Sequence, residues 1–104
     1  MTVAAQSAEP APALSEDQLQ LIAKALADPR RYEILKALGS QSAPTPCSRM
    51  RDRFDICAAT ISHHMKELET AGLIRSEKDG KFVQYTPQPH VLRAYLDRLH
   101  ADLA

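Results

Sequence analysis

The stretch ATISHHMKELETAGLI, residues 59–74, has the apolar spacing of a helix and a polar beginning. At about 100° per residue, Ile61, Met65 and Leu68 share one side and mark the inward face. Ala59, His63, Lys66 and Thr70 fall near the opposite side, Thr60 and Ser62 lie on the flanks, and Gly72 closes the helix. Small and hydrogen-bonding side chains followed by a cation suit the first turns of a helix that enters a major groove. Small residues allow close approach, and hydroxyls and imidazoles reach base edges or phosphates. The helix N-terminus itself attracts phosphate. A merely solvated face carries the same residue types, so the surroundings have to decide.

Upstream, CSRMRDRF (47–54) predicts a short helix, and Asp55-Ile56-Cys57 a tight turn into the helix of about 58–71. Two longer helices precede it. The first starts at Ser15, where Ser-Glu-Asp-Gln has a capping-box pattern, and carries Leu19, Ile22, Ala23 and Leu26 at helical spacing. Asp28-Pro29 stops it and starts the second, with Asp as cap and Pro in the first turn; Ile34, Leu35 and Leu38 form its stripe and Gly39 ends it. Residues 40–46 read as a loop.

Downstream, LIRSE (73–77) and KFVQY (81–85) read as strands joined by a turn holding Asp79-Gly80. Thr86-Pro87-Gln88-Pro89 breaks the second strand. Val91, Leu92, Tyr95, Leu96, Leu99 and Leu103 mark a last amphipathic helix. The fold class is mainly α with a β-hairpin wing, in the order α-α-α-α-β-β-α, which is a winged helix-turn-helix. Residues 1–14, rich in Ala, Pro, Ser and Glu, read as a disordered tail, and residues 15–103 as the folded domain.

Composition bounds the function without choosing it. The 104 residues suit one domain, and 13 basic against 13 acidic residues give no net push toward nucleic acid. No apolar run spans a bilayer and the N-terminus lacks a signal-peptide pattern, so the expectation is a cytoplasmic chain with no membrane partner. No phosphate loop, nucleophile elbow or carboxylate pair is visible, so no enzyme is expected. The charges are nevertheless clustered. Arg49, Arg51 and Arg53 lie on the short helix, and Lys78 and Lys81 at the hairpin tip. Arg49, Arg51, Lys78 and Lys81 are therefore candidates for phosphate contacts, and Ala59, Thr60, Ser62, His63 and Lys66 for base-edge and nearby contacts. Glu67, Glu69, Glu77 and Asp79 dilute this cluster.

ALADPRRYEILKAL (25–38), ATISHHMKELETAGLI and the hairpin EKDGKFVQYTP (77–87) together resemble the ArsR/SmtB family of bacterial winged-helix repressors, over residues 15–103. The resemblance implies a homodimer through the first and last helices, with Leu19, Ile22, Leu92, Tyr95, Leu96 and Leu99 at the interface. It also implies a palindromic double-stranded DNA operator and an effector that lowers DNA affinity. A stripe of large apolar residues on a terminal helix fits such a partner surface.

The effector is less legible. Of the metal-binding patterns that the family uses, the Cys-x-Cys pair is absent, since Cys47 is followed by Ser48 and Arg49. The last helix offers only His90, Asp97 and His100. His63 and His64 are adjacent and diverge on a helix, His63 outward and His64 toward the inner face. The remaining candidates are Cys47 and Cys57, which flank the short helix. A thiolate at a helix start, near arginines, is reactive and suits thiol oxidation or soft ions such as As(III) or Zn(II). The competing reading makes Cys57 a small buried residue and Cys47 a loop thiol, both inert. The alternatives are a repressor with no metal sensing and a winged-helix protein-interaction module without DNA binding.

Overall fold

The computed structural model describes residues 14–41 and 43–104. Residues 1–13 of the expected tail lie outside the described residues. Leu14, also placed in the tail, packs against the core, and its carbonyl accepts from the Arg98 guanidinium at 3.2 Å.

Helix α1 (Glu16–Leu26) starts as its sequence dictates: the Ser15 hydroxyl accepts from the Gln18 amide at 3.1 Å, and Glu16 and Asp17 sit at the positive end of the helix dipole. The Gln18 side chain does not complete the capping box; it donates to the Ala71 carbonyl at 3.4 Å. Ala25, not Ala23, accompanies Ile22 into the core. Helix α2 (Pro29–Gly39) is capped by Asp28, whose carboxylate accepts from the Arg31 and Arg30 amides at 3.1 and 2.9 Å. The Arg31 amide, foremost, holds that carboxyl below its ordinary range. The nearly buried Arg31 side chain donates from Nε to the Ala25 carbonyl at 2.9 Å, which satisfies a free carbonyl at the end of α1. At the end of α2, Ser40 donates from its hydroxyl to the Ala37 carbonyl at 2.8 Å, so the helix stops at Gly39 without a left-handed glycine.

Thr45–Pro46, expected within a loop, forms a short strand β1 that pairs antiparallel with the second hairpin strand through Thr45↔Tyr85 and Pro46↔Gln84. Two residues are too few to show strand periodicity, and proline is tolerated there because β1 is an edge. The element order is therefore α-α-β-α-α-β-β-α. Helix α3 (Cys47–Phe54) ends in Asp55, which takes a left-handed conformation at φ 53°. Aspartate is among the few non-glycine residues that enter this region readily. Ile56 and Cys57 complete the turn into α4 (Ala58–Thr70).

Helix α4 closes with a Schellman motif. The Leu73 amide donates to the Leu68 carbonyl at 3.0 Å and the Gly72 amide to the Glu69 carbonyl at 2.9 Å, with Gly72 at φ +83°. The Gln88 side chain donates to the Gly72 carbonyl at 2.8 Å, so this corner is tied to both α1 and the start of the last helix. Strands β2 (Ile74–Asp79) and β3 (Phe82–Pro87) are longer than expected, and the loop between the paired Asp79 and Phe82 is Gly80-Lys81. Gly80 takes φ +65° at the first loop position, as a tight hairpin turn requires. The sheet order is β1-β3-β2. Helix α5 (Pro89–Leu103) is bound to α1 by Arg98, which pairs with Glu16 and with Asp102.

The core joins Ile22 and Ala25 of α1, Ile34 and Leu38 of α2, Met50 of α3, Ile61, Met65 and Leu68 of α4, and Leu73, Ile74 and Tyr85 at the sheet. Two expected interface residues belong here instead. Ile22 is 0 % exposed and Tyr95 9 % exposed within the single subunit, and both are part of its core cluster. Helix α4 is consequently fixed along its whole inner side, and its outer side is left to solvent.

Candidate nucleic-acid interface

The outward side of α4 is the one the periodicity marks. Ala59, Thr60, Ser62, His63 and Lys66 are exposed, whereas Ile61, His64, Met65 and Leu68 are buried. His63 and His64 have ring centroids 6.1 Å apart and diverge, one to solvent and one inward. Burial holds the His64 imidazole below its ordinary value, and its Nδ1 has no hydrogen-bond partner among the described residues.

Arg49 and Arg51 are exposed on α3, and Lys78 and Lys81 on the hairpin. A shallow depression of about 280 Å³ brings Arg51, Ser62 and Lys81 together from α3, α4 and the wing, along with Cys47 and Phe82. Arg49 and Lys78 are not among its lining residues. Among the described residues, the ion pairs are Arg75–Glu77, Arg98–Glu16 and Arg98–Asp102, so the cations of this face are not consumed by them. Several of the diluting acids are engaged elsewhere. Glu69 accepts from the Ser76 hydroxyl at 2.6 Å, Asp79 from the Gln84 amide at 3.3 Å, and Glu77 lies beside Arg75.

Two residues of this region escaped the sequence reading. Arg30, at the start of α2, lies 5.9 Å from the centre of the Phe54 ring and donates to the Phe54 carbonyl at 3.2 Å; Arg53 sits over the same ring at 5.9 Å. Arg30 thus adds a cation beside α3 although 24 residues separate it from Phe54. Phe82 is 68 % exposed at the wing. A large apolar residue beside the turn lysine was the signal available for it.

The two thiols are free and sit in different surroundings. Cys57 is exposed as the cap residue of α4, with its Sγ 3.2 Å from the Thr60 hydroxyl. That hydroxyl, with the Thr60 and Ala59 amides adding to it, holds the thiol below its ordinary value. The arginines of α3, expected to share in this, are not among the causes. Cys47 is half-buried against the core beside Tyr85, whose hydroxyl is pushed up chiefly by burial. Among the described residues, no group of three or more His, Cys, Asp or Glu side chains is placed to hold a metal ion. His90, Asp97 and His100 are exposed on α5.

Leu96 and Leu103 of α5 and Leu21 of α1 are 54 %, 80 % and 37 % exposed, and Leu19, Leu92 and Leu99 of the same two helices are half-buried. No helix among the described residues is long and apolar enough to cross a membrane.

Comparison with known proteins fits this geometry. A family model for a helix-turn-helix domain matches residues 26–77. The arsenical resistance operon repressor of Staphylococcus xylosus is 36 % identical over 90 residues, covering 86 % of this chain and 81 % of that one. The cadmium resistance regulatory protein CadC of Listeria innocua is 37 % identical over 62 residues, covering 60 % of this chain and 51 % of that one. The chain thus spans about half the length of the CadC relatives it matches. Among solved structures, the homodimeric winged helix-turn-helix DNA-binding domain of a Mycobacterium bovis protein, described as a possible ArsR-family regulator, superposes with a TM-score of 0.67. It is 26 % identical, and the match covers 83 % of this chain and 80 % of that one. With the three-strand wing, the polar outer face of α4 and a repressor relative matched over most of its length, the chain belongs to the ArsR/SmtB family of winged helix-turn-helix transcriptional regulators.

Proposed function

We propose that this chain is a transcriptional repressor that binds a palindromic operator in double-stranded DNA as a homodimer, in the cytoplasm and without enzymatic activity. The observation that carries the reading is the outer face of α4, where Ala59, Thr60, Ser62, His63 and Lys66 are all exposed beside the exposed Arg49, Arg51, Lys78 and Lys81. Ser62 and His63 are assigned to base edges, and the arginines and wing lysines to phosphates. The exposed leucines of α1 and α5 support a symmetric partner surface of Leu19, Leu92, Leu96 and Leu99, to which Leu21 and Leu103 are added. The test is a gel-shift titration with the DNA upstream of the chain's own gene. Phosphate-mediated binding weakens steeply with salt. A protein-docking module working through α5 would show no DNA shift, and its partner binding would hardly respond to salt.

For release from DNA, we infer that Cys57 is the more reactive of the two thiols. It is exposed, its thiol is held below the ordinary value, and it begins the helix that carries Ser62 and His63. Oxidation, or capture of As(III) or Zn(II), adds bulk or charge at that helix start. Gel shifts with reduced, oxidised, As(III)-treated and Zn(II)-treated protein test this against Cys57→Ser and Cys47→Ser. Release by one treatment that survives in Cys57→Ser assigns the sensing elsewhere.

A further inference from the structure

Among the described residues, Phe82 belongs neither to the core cluster nor to the hydrophobic residues packed against it. It opens β3, paired with Asp79 across the Gly80-Lys81 loop, and 68 % of its surface faces solvent. The neighbouring Val83, not Phe82, packs against the core. Isolated exposed side chains are ordinary, but a phenylalanine this exposed at a hairpin end, where charged residues normally sit, calls for a partner. The leucines of α1 and α5 lie on other elements. The Phe82 ring lines the depression that also holds Arg51, Ser62 and Lys81.

We propose that Phe82 is a DNA-contact residue whose ring packs on the deoxyribose of the strand that Arg51 and Lys81 hold by its phosphates. This rests on the DNA-binding reading above. A backbone strand drawn to two cations on the walls of one depression presents its sugars as the carbon-rich surface between phosphates. An aromatic face there loses water on both sides of the contact. Base edges are left to Ser62 and His63, because Phe82 stands on the wing and not on α4. Such a contact carries no charge and reads no sequence. It strengthens binding to every duplex alike and leaves the salt dependence, which counts displaced counterions, untouched.

The test measures fluorescence anisotropy over a salt series with two short labelled duplexes. One is selected by the wild-type protein from a randomised pool, and one is of arbitrary sequence. Phe82→Ala is expected to weaken both by about tenfold with the wild-type salt slope, and Phe82→Leu to recover most of the loss. Lys81→Ala, as the contrast, lowers the slope by about one ion. Wild-type melting behaviour of Phe82→Ala, expected from its exposure, excludes a folding defect. Unchanged affinity overturns the proposal. So does a loss confined to the selected duplex, which marks base readout, or a loss accompanied by a shallower slope. A wild-type protein that binds neither duplex removes the DNA-binding reading itself and this proposal with it.

Discussion

The Cys57 thiol lies 3.2 Å from the Thr60 hydroxyl, one helical turn ahead on α4. The same contact lowers the thiol pKa and engages the side chain of Thr60, one of the residues proposed to meet DNA. Removing the hydroxyl in Thr60→Val takes away the leading cause of the lowered pKa, so the thiol moves back toward its ordinary value of 9.0. Near neutral pH, Cys57 then has less thiolate, and its labelling by iodoacetamide slows relative to wild type. Equal labelling rates at every pH would show that the hydroxyl does not tune the thiol.

Replacing Ser62 and His63 together with Ala is expected to abolish specific operator binding while leaving the dimer and its melting temperature unchanged. Each well-formed base contact is worth about 1–3 kcal/mol, so the pair accounts for a loss of roughly a hundredfold or more. Footprinting and sedimentation on the same sample check both halves. A wild-type footprint would remove α4 from its assigned role.

His64 predicts a pH dependence of stability. Its folded-state pKa is depressed below the ordinary 6.5 by burial, so between the two values the unfolded chain binds more protons than the folded one. The contribution is complete above pH 6.5 and is lost as the pH falls through the folded value. Asp28 opposes the shift, while Arg31, His63 and Arg30 add to it. Urea midpoints measured from neutral to mildly acid pH should decline in wild type and decline less in His64→Leu. Parallel curves would assign the decline to other groups.

The glycines at two helix ends should respond in opposite directions. Gly72 sits at φ +83°, and an added Cβ would lie 2.9 Å from Nε2 of Gln18, so Gly72→Ala is expected to cost about 1–2 kcal/mol. Gly39 has ordinary helical backbone with nothing within 4 Å of a Cβ, so Gly39→Ala is expected to gain up to about 1 kcal/mol. Chemical denaturation of both variants measures the pair.

Leu96→Glu places a charge in the middle of α5, where Leu96 is 54 % exposed in the single subunit. If this face meets its copy, the substitution weakens the dimer by about 2 kcal/mol or more without unfolding the subunit. Sedimentation equilibrium should then show monomer at concentrations where wild type is dimeric. A dimer of unchanged strength would move the interface off α5.

Much of this architecture was legible because long helices announce themselves by period and punctuation. Ser15, Asp28 and Gly72 act at the positions and in the capping roles that the sequence suggested. What failed has physical causes. β1 has two residues and no pattern of its own; it exists because Tyr85 and Gln84 offer an edge. Ile22 lies on the apolar stripe of an outer helix, but periodicity cannot say whether that stripe meets its own subunit or another, and here Ile22 is buried in its own subunit's core. Arg30 approaches Phe54 across 24 residues of sequence, a relation no local window contains. The outer face of α4 was readable because its inner face was. The effector was not, because sensing depends on which side chains converge in space, and Cys47 and Cys57 occupy different environments.

The two glutamines at the corner beyond α4 have a mechanical consequence. Gln18 holds the Ala71 carbonyl from α1, and Gln88 holds the adjacent Gly72 carbonyl from the threshold of α5. The trailing end of α4 is thus tied to α1 and to the start of α5, the two helices that carry the exposed leucines, while its leading end is reached through the short turn at Asp55. Any change in how α1 sits against α5 would strain these two hydrogen bonds at one end of α4, the helix whose opposite end carries Ser62 and His63.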